Sequence, residues 1–238
     1  MRVLQFSGGK DSLACLYLLR DEWATLPVVW LNTGAAYPET LTYMRKWKEI
    51  LPNFIEIKSD QPAQVAKNGY PSDVTVVNNT SFGRQFTNSD GPLVQSYLNC
   101  CAENIWLPLF HAIDALGATE IVRGQRKYDV RKSSIRHGDV VNGKKYNFPI
   151  YDWSEDQVFA YLQSVGAELP EGYKRGEKTG RDCWDCTAYL DENTQRIRNL
   201  PAVKRQIVLK RLEEICKSIA GSHIMQDYGG DFGFEKGH

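Results

Sequence analysis

The sequence predicts a doubly wound α/β domain with a mostly parallel sheet, followed by a C-terminal helical extension. Three observations carry that prediction. Short apolar runs at residues 2–6, 27–31 and 54–57 alternate with helical patterns at residues 11–20 and 38–50, the order that builds parallel sheets. The middle run, Pro27-Val28-Val29-Trp30-Leu31, is apolar throughout, as a strand buried on both faces requires. The chain has 238 residues, 42% hydrophobic and 24% charged, enough for a full core and unlike a disordered or low-complexity chain.

Each element has a local reason. The first strand stops at Ser7-Gly8-Gly9, and the helix after it carries apolar residues at 13, 14, 16, 17, 18 and 19. The second strand ends at the turn Asn32-Thr33-Gly34. Pro38-Glu39-Thr40 opens the next helix, with proline in the first turn, where its missing N–H costs nothing. Residues 60–99 carry a weaker pattern, and the Asn, Thr, Ser and Gly between 78 and 91 predict a long loop. Residues 104–116 form a helix with Ile105, Trp106, Leu109 and Ile113 on one face. A fourth strand at 120–122 leads into Arg123-Gly124-Gln125-Arg126. Residues 129–143 are polar and basic, and 147–151 are extended. Ser154 caps a helix over 155–164. Residues 166–186 are a Gly- and charge-rich loop, and 193–220 are helical with a break near Pro201. No internal repeat is visible.

Lys plus Arg and Asp plus Glu are 29 each. A zero net charge argues against a strongly basic nucleic-acid binder, though not against a local basic groove. No apolar run approaches the ~20 residues of a membrane span, and the N-terminus opens as a strand rather than a signal peptide. The expected compartment is the cytoplasm, with no membrane partner.

Ser7-Gly8-Gly9-Lys10-Asp11-Ser12 lies between a strand and a helix. Backbone N–H groups at a helix N-terminus favour phosphate, and two glycines let a ligand approach the backbone. Ser7 and Ser12 add hydroxyls, and Lys10 can neutralise charge. Asp11 would cap the helix or hold Mg²⁺. Asn32, Thr33 and Gly34 end the second strand at the same sheet edge, where α/β proteins bind ligands. Arg123 and Arg126 end the fourth strand there, and Arg131, Lys132 and Arg136 follow. Guanidinium forks suit phosphate or sulfate oxygens.

Six cysteines complete the candidates. Cys15 and Cys216 sit in helical patterns and are expected to be packing residues. Cys100-Cys101 and Cys183-x-x-Cys186 form a pair of pairs. Four thiolates suit zinc or a [4Fe-4S] cluster, and a redox pair is the third reading. Vicinal ligands favour the cluster, where each thiolate addresses its own iron.

The loop resembles the Ser-Gly-Gly-x-Asp-Ser fingerprint of the PP-loop ATP pyrophosphatase superfamily. The ordered set over about residues 1–190 resembles the phosphoadenosine phosphosulfate (PAPS) and adenylylsulfate (APS) reductases. It comprises that loop, the cysteine pairs, the arginine turn and the block from Asn147 to Val158. The resemblance implies an adenine nucleotide alpha-hydrolase-like fold. Residues 1–165 would be the nucleotide-binding domain and 166–238 an extension completing an Fe–S site. It implies an adenine nucleotide on Ser7 to Ser12 and Asn32 to Gly34: ATP, APS or PAPS. Lys10, Asp11, Arg123 and Arg126 would be catalytic, and Cys100, Cys101, Cys183 and Cys186 would carry a [4Fe-4S] cluster.

Two departures shape the expected activity. The reductases usually carry a degenerate phosphate loop, whereas this one is intact. Their C-terminal Glu-Cys-Gly-Leu/Ile-His tail is matched here by Phe234-Glu235-Lys236-Gly237-His238, with no cysteine after Cys216. The leading expectation is an enzyme that adenylates an acceptor, releases pyrophosphate and transfers sulfur. The acceptor would be tRNA, DNA or a small molecule, and the protein partners a reductant or sulfur donor and a second copy of the chain. The alternatives are a sulfonucleotide reductase-like oxidoreductase and a non-catalytic nucleotide-binding module.

Overall fold

The computed structural model describes residues 1–129, 133–177 and 182–221. In chain order its main elements are β1 (Arg2–Gln5), α1 (Lys10–Leu18), β2 (Val28–Asn32), α2 (Pro38–Ile50), β3 (Phe54–Lys58), α3 (Gln61–Asn68), β4 (Tyr70–Ser72), β5 (Val94–Ser96), α4 (Tyr97–Cys101), α5 (Leu107–Ala115), β6 (Glu120–Arg123), β7 (Val140–Val141), β8 (Lys144–Asn147), α6 (Glu155–Ser164), α7 (Glu171–Lys174), α8 (Leu190–Arg198) and α9 (Ala202–Ala220). The chain forms two compact units. One is Met1–Ser59 with Ile105–Trp184; the other is Asp60–Asn104 with Asp185–His238. Each unit is therefore discontinuous, whereas the division expected at 165/166 is linear.

The first unit is built on a six-stranded sheet in the order β3-β2-β1-β6-β8-β7. Five strands run parallel, and β7 pairs antiparallel with β8 at one edge. Alternation along each strand feeds two cores. Leu4, Val28, Trp30 and Val122 pack with Leu13, Leu16, Met44, Trp47, Val158 and Leu162, burying α1, α2 and α6. Val3, Val29 and Ile121 face the other way and pack with Ile113, Tyr146 and Phe148, which brings in α5. Helices thus cover both faces, as predicted. Strand order reverses between β1 and β6, so the loop after β1 emerges at the topological switch point.

Several helix ends follow the sequence closely. Pro38 stands at the start of α2. Ser154 caps α6 with a complete capping box, its hydroxyl accepting from Gln157 N–H while Gln157 accepts from Ser154 N–H. The helix expected over 104–116 is instead a π turn, Ala102–Trp106, followed by α5. Pro108 stands in the first turn of α5, where it has no N–H to donate to the turn before it.

In the second unit the long loop expected between 78 and 91 is present. Only two short 3-10 turns, Val77–Asn79 and Gly83–Gln85, occur there. The flanks, however, carry α3 and a separate parallel pair, with Tyr70 opposite Val94 and Ser72 opposite Ser96. Three-residue strands carry too short a pattern to be legible. Asp73 accepts from the N–H groups of Tyr189 (2.9 Å) and Leu190 (3.1 Å), capping α8. Arg211 binds Asp185 at 2.6 Å and lies over the Tyr70 ring, fixing α9. Among the described residues, no helix is long and apolar enough to cross a membrane.

Candidate functional site

In the first unit the loop after β1 turns at Gly8, whose φ is +77°, a value that favours glycine. Gly9 then caps α1 with extended backbone. Ser7 and Ser12 hydroxyls meet at 3.1 Å. Ser7 Oγ accepts from Gly9 N–H at 3.3 Å, and Ser12 Oγ donates to Gly9 carbonyl at 3.0 Å. These bonds hold the loop in shape. The first N–H groups of α1 have no intrahelical partner, and that of Lys10 donates to the hydroxyl of Tyr173 at 3.0 Å.

The four expected catalytic residues separate into two kinds. Lys10 is buried; its ammonium lies 2.8 Å from Asp11 and 3.6 Å from Glu155, with the Phe159 ring 6.0 Å away. Arg126 Nε lies 3.0 Å from Asp11, and its Nη2 lies 2.8 Å from Asp129. Asp11 is thus the tie between Lys10 and Arg126. Burial raises the Asp11 carboxyl above its ordinary range, against the pull of Lys10 and Arg126.

Arg123 differs. It ends β6, opposite Gln5, and burial lowers its pKa while Tyr146 and Asp129 act at a distance to raise it. Among the described residues no carboxylate forms an ion pair with it. The strand end that carries it lies at the same sheet edge as the loop after β1. Gly124, next to it, lets this strand end touch α1: a Cβ there would lie 2.4 Å from Asp11 C and 2.5 Å from Ser12 N. Lys132 and Arg131 lie outside the described residues. Arg136 only turns its own loop, its N–H donating to Asp139.

Asn32, Thr33 and Gly34 are at the same edge but already committed. Asn32 donates to Glu56 at 2.9 Å and accepts from Gly34 N–H at 3.1 Å. Thr33 is buried, and its hydroxyl contacts Cys183 Sγ at 3.2 Å and Asp182 carbonyl at 3.4 Å. A cleft beside the loop is lined by Ser7, Gly8, Gly9, Tyr43, Met44 and Tyr173. Tyr173 was hidden in a Gly- and charge-rich stretch; its only local signal is the Pro170-Glu171 start of a helical turn.

Of the four expected metal ligands, Cys183 belongs to the first unit and Cys100, Cys101 and Cys186 to the second. Burial pushes the Cys100 thiol up to about 12, and the nearby sulfurs of Cys101 and Cys186 push the same way. Asn104 donates to Cys100 carbonyl at 2.9 Å. Cys101 Sγ lies 3.6 Å from the Tyr189 hydroxyl, and Tyr189 itself has φ +59°, unusual for a bulky residue. Among the described residues no group of three or more His, Cys, Asp or Glu has the spacing of a metal-ion site. Sulfurs close enough to repel one another's charge still suit a cluster, which spreads thiolates over several irons. Cys15 is fully buried, as expected. Cys216 corrects its expectation: it is exposed, because α9 buries Ile215 and Ser218 and turns the two residues between them, Cys216 and Lys217, outward.

The comparisons with known proteins agree with this fold. The family model described as phosphoadenosine phosphosulfate reductase domain matches residues 2–221. An uncharacterized protein of Methanocaldococcus jannaschii is 22% identical over 82% of this chain and 43% of its own. Adenosine 5'-phosphosulfate reductase of Neisseria meningitidis is 28% identical over 67% of this chain and 61% of its own. Phosphoadenosine 5'-phosphosulfate reductase of Alkalilimnicola ehrlichii is 26% identical over 67% and 60%. The chain thus spans less than two thirds of the length of each of these relatives. A crystal structure of PAPS reductase from Candida auris, in complex with phosphate, has the same fold. Its TM-score is 0.54 at 17% identity, over 76% of this chain and 80% of that one.

Proposed function

The chain belongs to the phosphoadenosine phosphosulfate reductase domain family, and from that premise we propose that it is an enzyme acting on an adenine nucleotide whose phosphates lie over Ser7 to Ser12. The observation that carries the reading is the intact anion loop at the switch point, which turns at Gly8 and opens α1 at Gly9; the strand end carrying Arg123 and Arg126 lies at the same sheet edge. Loop N–H groups and the Arg123 guanidinium would converge on phosphate oxygens. Asp11 holds Lys10 and Arg126 in place behind them.

A complete pyrophosphate cradle favours ATP over APS or PAPS. In that reading an oxygen of the acceptor attacks the α-phosphorus. The bond from that phosphorus to the bridging oxygen breaks, and pyrophosphate leaves; Asp11 would be the residue to hold a Mg²⁺ that neutralises its charge. The loop amides and Arg123 stabilise the charge gathering on the departing oxygens. A sulfide-level sulfur donor then attacks the acceptor atom that bears this oxygen, and the oxygen leaves in AMP. The acceptor class is a nucleic-acid base or backbone, or a small molecule.

The paired-cysteine spacing in the sequence supports a [4Fe-4S] cluster on Cys100, Cys101, Cys183 and Cys186. When bound, it would supply electron transfer or a place to handle sulfide. Cys100, Cys101 and Cys186 are the thiols whose mutual influence is visible in the second unit.

A second reading, sulfonucleotide reduction, is favoured by the named relatives and by Cys216, a surface thiol where a packing residue was expected. The test is anaerobic purification followed by ATP titration, pyrophosphate detection with candidate acceptors, and sulfite release from APS and PAPS. Pyrophosphate formation that depends on acceptor supports the first reading. Sulfite release abolished by Cys216→Ser, with no ATP binding, replaces it by the second.

A further inference from the structure

We propose that Tyr173 is the gate of the phosphate loop: its hydroxyl occupies the place of a phosphate oxygen, and an incoming nucleotide must displace it. The proposal rests on the phosphate-loop reading above and adds a competitor for it.

The geometry is specific. The acceptor on Lys10 N–H, the first amide of α1, is a side chain 163 residues away in sequence, at 3.0 Å. Anion-binding amides at a helix start ordinarily face water or ligand; here a phenol has taken that position. Burial pushes the Tyr173 hydroxyl up to about 12, so it stays neutral in physiological conditions. A neutral acceptor is the weaker partner for such an amide, and a charged phosphate oxygen outcompetes it.

Tyr173 is delivered by a strap rather than by the sheet. Its ring meets Phe159 of α6 edge-on at 6.0 Å. On either side the strap is tied to α2: Tyr43 donates to Glu168 carbonyl at 2.9 Å, Lys46 pairs with Glu168 at 3.0 Å, and Arg175 pairs with Glu39 at 2.7 Å. The two ion pairs are solvent-exposed and so are weak ties. With only four residues in α7, the segment has little structure of its own to lose on opening. The same strap residues, Pro170 to Tyr173, form one wall of the cleft at Ser7, Gly8 and Gly9. Opening would therefore enlarge the space that a nucleotide must enter.

The test uses limited trypsin digestion of the full chain, reading cleavage after Lys174 and Arg175 by mass spectrometry, with inorganic pyrophosphate as the probe. Loss of one neutral hydrogen bond predicts that Tyr173→Phe is cut about 2- to 12-fold faster without ligand. It also predicts pyrophosphate binding tighter by the same factor in calorimetry, and wild-type cleavage rising when pyrophosphate is added. Tyr173→Ala, which also removes the Phe159 contact, should exceed both effects. Circular dichroism checks that the variants are folded.

Equal cleavage of wild type and both variants, with pyrophosphate still bound, overturns the gate and leaves the loop reading standing. Weaker pyrophosphate binding in Tyr173→Phe also overturns it, by making the hydroxyl a ligand contact. Faster cleavage in the variants with no pyrophosphate binding to any protein refutes the phosphate-loop reading, and the competition with it.

Discussion

Gly124→Ala isolates how the arginine turn is held against the phosphate loop. Gly124 does not have a positive φ, so alanine meets no local backbone strain and the whole effect comes from contact. The new Cβ would lie 2.4 Å from Asp11 C, 2.5 Å from Ser12 N and 2.6 Å from Asp11 O. Carbon atoms ordinarily stand about 3.5–4.0 Å apart, so the strand end and α1 must separate by roughly 1 Å. All three obstructing atoms are backbone in the first turn of a helix, which cannot rotate aside as a side chain can. Overpacking of this kind costs about 1–3 kcal/mol. For a chain of this size that is a fall in melting temperature of about 2–12 °C. The separation also strains the 3.0 Å contact between Arg126 and Asp11 and shifts the strand end that carries Arg123. Thermal unfolding followed by tryptophan fluorescence reads the first effect, since Trp23, Trp30 and Trp47 belong to this core. Calorimetry with ATP reads the second. A variant that melts within 1 °C of wild type and binds nucleotide equally would refute the reasoning, because the contact would then be free to relax.

Three further outcomes are expected. Gly9→Val should fold, because Gly9 has φ −73° and ψ 161°, yet lose nucleotide binding, because the side chain enters the anion slot. Arg123→Met should keep or gain stability, having removed a desolvated charge, while nucleotide affinity falls about 10- to 150-fold, the worth of a charge-assisted hydrogen bond; unchanged affinity would remove Arg123 from the site. Metal-free protein should lose stability in alkali through Cys100. Its folded pKa is raised from near 9 to about 12, so its contribution is complete below about 9 and is lost as pH rises toward 12. Urea midpoints at pH 7 and 10 should therefore converge in Cys100→Ala relative to wild type, and an identical pH dependence in the two would contradict the assignment.

What was legible in the sequence had either period or position. The parallel core could be read because β1, β2 and β3 are apolar runs separated by helices with clear faces, and the loop because it lies between a strand and a helix. The β4–β5 pair was not legible: three residues, one of them Pro71, carry no alternation. Cys216 could be placed on a helix but not on a face of it, because Leu212 and Ile215 nearby suggested a stripe that α9 aligns instead through Ile215 and Ser218. The commitments of Asn32 and Thr33 to Glu56 and Cys183, and of Tyr173 to Lys10, join residues 24, 150 and 163 positions apart. Such pairings are set by the fold, and no local pattern announces them.

The strand order has a consequence for biosynthesis. β1 needs β2 on one side and β6 on the other, and β6 leaves the ribosome roughly 115 residues after β1 ends. At ~5–20 residues per second, that interval is on the order of 6–23 s. Throughout it β1, with its apolar Val3 and Leu4, presents an open hydrogen-bonding edge, the template on which chains pair wrongly. A chaperone that shields β1 during those seconds would therefore raise the yield of folded protein.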